Sequence, residues 1–408
     1  MGKITLNHIT KIEGHARLDL EVDKGKLKKC ELGSVEGSRY FQGLLRGRAW
    51  NDAPEVTSRI CGICSSAHTV ASVMALEDAF GVKSTEQTIT LREIQTIGER
   101  VRSHGAHLYF LALPDYLGYK SAIAMAPKFG NEIKRALRLV KLGNEMVTSV
   151  SGRVMHQVAT TVGGFNKLPP QSDLDDFRKR MIAAKEDIFE TAKLIASLEY
   201  PDLETTDQMF SLVRDDKYAV SYGNVKVGST IFEQKDYLKV IEEYHEPHSN
   251  CNFVVKDGKS YYTGALARMN NSFDKLSPAA KDFCKDIGFN MPCYNPFKNN
   301  LAQAVELIHY WEDTVNILEN FEVKPEPIVE FDSSNGHGIA ANEAPRGVVW
   351  HEYKIKNSKI EFANVIAPTT QSLRNIQDDI AKYVQMMLDA KKKKEEMVLE
   401  IEKLIRSY

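Results

Sequence analysis

The chain has 408 residues, 43% hydrophobic and 26% charged, with a formal charge of −2 and a mean hydropathy of −0.34. That profile describes a globular protein with enough interior to hide a cofactor from water. It argues against nucleic acid as a partner, because Lys and Arg are interleaved with acids, and no stretch of about 18 uncharged apolar residues offers a membrane span. Six cysteines, at positions 30, 61, 64, 251, 284 and 293, are too sparse for a secreted disulfide scaffold. Reduced thiols and a cytoplasmic setting are therefore expected, and the opening Met1-Gly2-Lys3-Ile4-Thr5-Leu6 has no apolar export signal.

Residues 1–37 alternate apolar and polar side chains, as in Ala16-Arg17-Leu18-Asp19-Leu20-Glu21-Val22, and Asp23-Lys24-Gly25 reads as a turn, so a β-hairpin or meander is expected. From 38 to 200 the period becomes helical, with long segments near 87–112, 131–160 and 171–199 broken at Pro114 and at Pro169-Pro170. An inserted α/β unit over 201–270, rich in Gly, Tyr and Val, precedes a helical stretch over 271–325. A β-rich region over 326–370 carries Gly336 and Gly338. The segment 371–408 predicts one or two helices with Val398, Ile401, Leu404, Ile405 and Tyr408 on one face.

Redox metal chemistry is signalled by Arg59-Ile60-Cys61-Gly62-Ile63-Cys64-Ser65-Ser66-Ala67-His68. Two thiolates three residues apart can grip one soft metal ion, because the short turn aims both sulfurs into one small volume. Alone, such a pair is more often half of a structural zinc site or a redox dithiol than a catalytic centre. Four other phrases bear on the choice: Thr10-Lys11-Ile12-Glu13-Gly14-His15, the run from Ser38 to Arg48, Glu343-Ala344-Pro345-Arg346-Gly347, and Asn364-Val365-Ile366-Ala367-Pro368-Thr369-Thr370.

Together, from about residue 4 to the end, these phrases resemble the large, catalytic subunit of the nickel–iron hydrogenases, specifically the soluble kind linked to NAD(P) or sulfur reduction. The resemblance implies an α+β architecture, mostly helical with peripheral β-sheets. It implies nickel and iron, the iron carrying CO and cyanide. Cys61 matches the terminal nickel ligand and Cys64 the cysteine bridging the two metals. His68 matches a histidine that hydrogen-bonds a bridging sulfur; a packed core histidine is the plainer reading. Glu13 matches the proton-transfer carboxylate, which the chemistry requires because heterolytic splitting of H2 releases a proton to a protein base. Arg346 matches the arginine over the open metal position, able to hydrogen-bond a cyanide. For Glu13 and Arg346 the plainer readings are a surface carboxylate and an ordinary ion pair. Thr369 aligns with the donor to the second cyanide, and Pro345, Val349 and Pro368 with dry walls about the CO. The segment Gly152-Arg153-Val154-Met155-His156 resembles a family helix beneath the site, with His156 structural.

The match also departs from the family. Gln42 stands where many relatives carry a magnesium-binding glutamate; with Val365 it is a candidate magnesium site short of one negative charge. Ser103 replaces an aspartate that often pairs with the arginine. The closing D-P-C-x-x-C-x-x-H phrase is not among the 408 residues, and Cys30, Cys251, Cys284 and Cys293 lie in unrelated contexts. The resemblance therefore implies an apo, immature or truncated form, inactive as it stands. Its implied partners are an iron–sulfur small subunit, flavin and NAD(P) subunits, nickel-insertion and iron-delivery chaperones, and a C-terminal endopeptidase. Two alternatives are a metal-free relative of the complex I type and a non-catalytic client of a nickel chaperone.

Overall fold

A computed structural model describes residues 2–12, 14–37 and 39–408, with 49% of the chain helical and 19% in strands. The alternation near the amino end folds as an antiparallel meander of Gly2–Leu6, Ala16–Asp23 and Lys26–Ser34. Lys24 and Gly25 take the positive φ angles that the tight turn requires. The inward set Leu18, Leu20 and Leu32 packs against Ile380, Val384, Ile401 and Leu404 of the last two helices, Pro368–Asp389 and Lys394–Ser407. The two ends of the chain thus share one hydrophobic core.

The central layer is helical. Glu86–Ala106 lies against Gly130–Ser151 so closely that a Cβ on Gly143 would stand 2.5 Å from the Arg102 amide nitrogen and the Gly98 carbonyl. Glu86–Ala106 runs on into a π-helical turn, His107–Ala112, and both pack on Asn299–Asn320. Beside them Asn335–Ala344, Gly347–Lys356 and Lys359–Ile366 form an antiparallel sheet in which Ala344 pairs with Gly347, leaving Pro345-Arg346 as a two-residue turn. The helix Ser65–Phe80 crosses this sheet at its glycines: a Cβ on Gly338 would meet the Ala75 carbonyl at 2.1 Å. Only glycine admits two backbones at that distance. Between these layers Tyr262–Thr263, Met209–Val213, Asn224–Val227 and Thr230–Phe232 make a four-stranded sheet.

Three expectations need correction. The pattern over 131–160 does not stay helical: Gly152 caps the helix in the left-handed conformation, and Gly152–His156 is an irregular loop, with His156 itself at φ 56°. The segment 171–199 splits at Ala184 into Gln171–Ala183 and Lys185–Ala196. The first strand of the late β-region begins only at Asn335, after an irregular stretch from 321. No helix among the described residues is long and apolar enough to cross a membrane.

Candidate metal centre

Cys64 is the residue immediately before Ser65–Phe80, so Cys61-Gly62-Ile63-Cys64 is the bent approach to a buried helix start. Its amide donates to the Cys61 sulfur at 2.9 Å. The two sulfurs are joined as a disulfide across a Cα separation of 5.3 Å, whereas Cys30, Cys251, Cys284 and Cys293 form no disulfide among the described residues. This corrects the expectation of six reduced thiols. The spacing that lets two sulfurs face one ion also lets them meet each other.

Behind the turn stands a pair of charges from Glu86–Ala106. The Glu99 carboxylate, fully buried, accepts from the Ser66 and Ala67 amides at 2.5 and 3.1 Å, capping the exposed donors of the cysteine helix. Burial pushes its pKa up to about 7, although Arg102 and the two amides draw it down. Arg102 lies 3.5 Å from Glu99, donates to the Ile63 carbonyl and reaches the Val154 carbonyl at 3.1 Å. It therefore ties the cysteine turn to the loop after Gly152. Gln157 in that loop donates to the Ser65 and Ser66 hydroxyls at 3.2 and 2.8 Å.

In front, Cys64 packs against Ala67, Ala71, Ala344 and Val349. The fold thereby brings Cys64 to Val349 and to the residue beside Pro345-Arg346. The Arg346 turn is held from below by Arg268, which donates to Glu343 at 2.9 Å, to the Ala344 and Pro345 carbonyls at 3.2 Å, and to Glu306 at 2.6 and 2.8 Å. Arg100 adds a bond to the Glu343 carbonyl. Arg346 is half-buried, and its charge acts on His104 and His107. Burial first, then such neighbouring cations, lowers His104 to about 4 and His107 well below its usual range, while Glu306 at 2.7 Å opposes the shift in His104.

The remaining expected positions divide. Glu13 lies outside the described residues. The loop before it is anchored, because Asp115 accepts from both Lys11 and Arg406, and Arg406 donates to the Thr10 carbonyl at 2.9 Å. Pro368 is buried at the start of its helix, but Thr369 is exposed and makes no hydrogen bond among the described residues. Ser103 is buried beside His104, and its carbonyl accepts from the His107 amide. His156 meets the Ser58 hydroxyl at 3.3 Å.

His68 is buried, burial lowers its pKa to about 4, and its Nδ1 contacts His351 Nε2 at 3.1 Å. Gln42 and Val365 do meet, but with the Gln42 amide nitrogen donating to the Val365 carbonyl at 3.2 Å and to Asn364 at 3.0 Å. A neutral amide engaged with neutral oxygens is a poor seat for a hard dication, so these residues do not fit magnesium as they stand.

Five residues central to this arrangement, Glu99, Arg102, Arg268, Glu306 and His351, went unread in the sequence. The available signal was charge at core-facing helical positions, as in Ile97-Gly98-Glu99-Arg100-Val101-Arg102, since a buried charge demands a partner.

The chain belongs to the nickel-dependent hydrogenases: the profile of that family matches residues 39–168 and 295–408. Among curated relatives, sulfhydrogenase 1 subunit alpha of Pyrococcus furiosus is 32% identical over 393 residues, covering 95% of this chain and 90% of the relative. Sulfhydrogenase 2 subunit alpha of the same organism is 29% identical, covering 99% and 96%. A solved NAD+-reducing NiFe hydrogenase in its H2-reduced state superposes with a TM-score of 0.86 over 100% of this chain and 97% of that one; at 22% identity the likeness establishes the fold. The α+β hydrogenase large-subunit fold is thus the architecture of this chain. Once reduced, the adjacent sulfurs of Cys61 and Cys64, the latter beside an alanine-lined cluster, suit a soft metal such as nickel. Among the described residues, no group of three or more His, Cys, Asp or Glu is placed to hold a metal ion.

Proposed function

We propose that this chain is the hydrogen-activating subunit of a nickel–iron hydrogenase, catalysing H2 to two protons and two electrons reversibly. Cys61 would hold nickel terminally and Cys64 would bridge to an iron bearing CO and cyanide. When bound, those metals supply the polarisation of H2 and the electron storage that side chains cannot. The chain's own work is to position and to exclude water. Arg268 and Arg100 hold the Arg346 turn, Ala67, Ala71, Ala344 and Val349 keep the sulfur wall dry, and Glu13 takes up the released proton. Pro345 and Pro368 add apolar surface, and Thr369 a hydroxyl donor.

The observation that carries this reading is that Cys64 packs against the apolar cluster of Ala67, Ala71, Ala344 and Val349, whose last two members flank the turn bearing Arg346. Electrons would leave through iron–sulfur clusters of a small subunit, then pass to flavin and NAD(P) or sulfur-reducing partners in the cytoplasm. Cys61 and Cys64, paired as a disulfide, must be reduced before they can serve as thiolate ligands, so this form is read as apo. Maturation proteins would load the metals, and an endopeptidase would close the site.

The test is nickel content and H2-dependent dye reduction of the gene product purified from cells that also supply its maturation proteins. Near-stoichiometric nickel is expected, falling at least about tenfold in C61S and in C64S, as loss of a metal's own ligand demands. Nickel retained in both variants would overturn the assignment.

A further inference from the structure

The His68–His351 contact continues inward. His351 Nδ1 lies 2.6 Å from the Tyr353 hydroxyl, which lies 2.9 Å from the Ser72 hydroxyl. All four side chains are buried, and Ser72 returns the chain to the cysteine helix one turn after His68. We propose that Tyr353, acting through His351, fixes the proton of His68 on Nε2, making that nitrogen a hydrogen-bond donor for the sulfur chemistry at Cys64 one helical turn away.

The direction follows from proton affinities. A phenol O–H is a far stronger acid than the N–H of a neutral imidazole, and an imidazole nitrogen is a far stronger base than a phenol oxygen, so Tyr353 donates to His351. Both imidazoles are fully buried with only neutral hydrogen-bond partners, an imidazole in one case and a phenol in the other, so each is neutral and carries one proton. With its Nδ1 accepting from the phenol, His351 has its proton on Nε2 and gives it to His68 Nδ1. His68 must then hold its own proton on Nε2, a nitrogen with no hydrogen-bond partner among the described residues. Ser72 fits the same polarity. Thr69 and Thr57 spend their protons on the carbonyls four residues back, whereas the Ser72 hydroxyl turns to the phenol. Thr57 also faces the phenol, with its proton directed to the Ala53 carbonyl. His351 and Tyr353 are thus positioning residues: they act on the sulfurs only through His68.

This inference rests on reading Cys64 as a metal thiolate, but its test does not. Nitrogen NMR of the full chain labelled with 15N-histidine, with His68 and His351 assigned from H68N and H351N, reports which ring nitrogen bears each proton. Protonated Nε2 and bare Nδ1 are expected for both. In Y353F, His351 should become a mixture of tautomers and a protonated Nδ1 signal should appear for His68. A His68 protonated on Nδ1 in the unaltered chain overturns the proposal, as do unchanged tautomers in Y353F; the first measurement decides even if the variant fails to fold. Should His68 show the expected proton while C64S keeps its nickel, the metal assignment falls and the relay stands.

Discussion

Glu99 makes the stability of this chain depend on pH in a direction unusual for a carboxylate. Burial raises its pKa to about 7 against the pull of Arg102 and the Ser66 and Ala67 amides, whereas an unfolded glutamate titrates near about 4.3. The folded state therefore binds this proton more tightly. Its stabilisation is complete below the unfolded value and is lost as pH rises through 7. E99Q abolishes the titration. Between about pH 5 and about pH 8, linkage with these two values makes the wild type lose about 2–3 kcal/mol relative to E99Q. Urea unfolding of both proteins across that range, followed by tryptophan fluorescence, measures the difference. Other shifted groups, including Asp313 and Asp379, both raised by burial to about 6, are common to the two chains and cancel. A wild-type to E99Q gap that stays constant with pH would refute the claim that burial sets this proton.

Two further substitutions probe the wall opposite the sulfurs. R268Q strands the buried carboxylates of Glu306 and Glu343 and should cost about 3–5 kcal/mol in denaturant unfolding; a loss below about 1 kcal/mol would mean the cluster does not hold the Arg346 turn. G338A drives a methyl group into the backbone of Ala75 and Ala79, which cannot swing aside as a side chain would, so a loss of about 1–3 kcal/mol or more is expected, read as a lowered Tm. An unchanged Tm would show that the helix can lift from the sheet.

What the sequence disclosed was local. Alternation marked the meander because one face of each strand is buried, and the C-x-x-C turn with the Pro345-Arg346 phrase marked the two walls of the site. What stayed hidden joins residues remote in sequence. Glu99 meets Ser66 across 33 positions, Arg268 meets Glu343 across 75, and His351 meets His68 across 283, each on a helix or strand whose own periodicity says nothing of its partner. Gly336 and Gly338 are placed in a β-rich region by the sequence, which gives no sign that they are openings for a helix within a strand. The family resemblance supplied roles for single residues, and it could not supply the buried charges that hold those residues in place.

The carboxylate of Asp115 accepts from Lys11 and from Arg406, two cations separated by most of the polypeptide. A ribosome delivers the first long before the second. Until the closing helix docks, the segment leading to Glu13 has only one of its two latches. The amino-terminal loop therefore gains its second latch only after translation has passed residue 406.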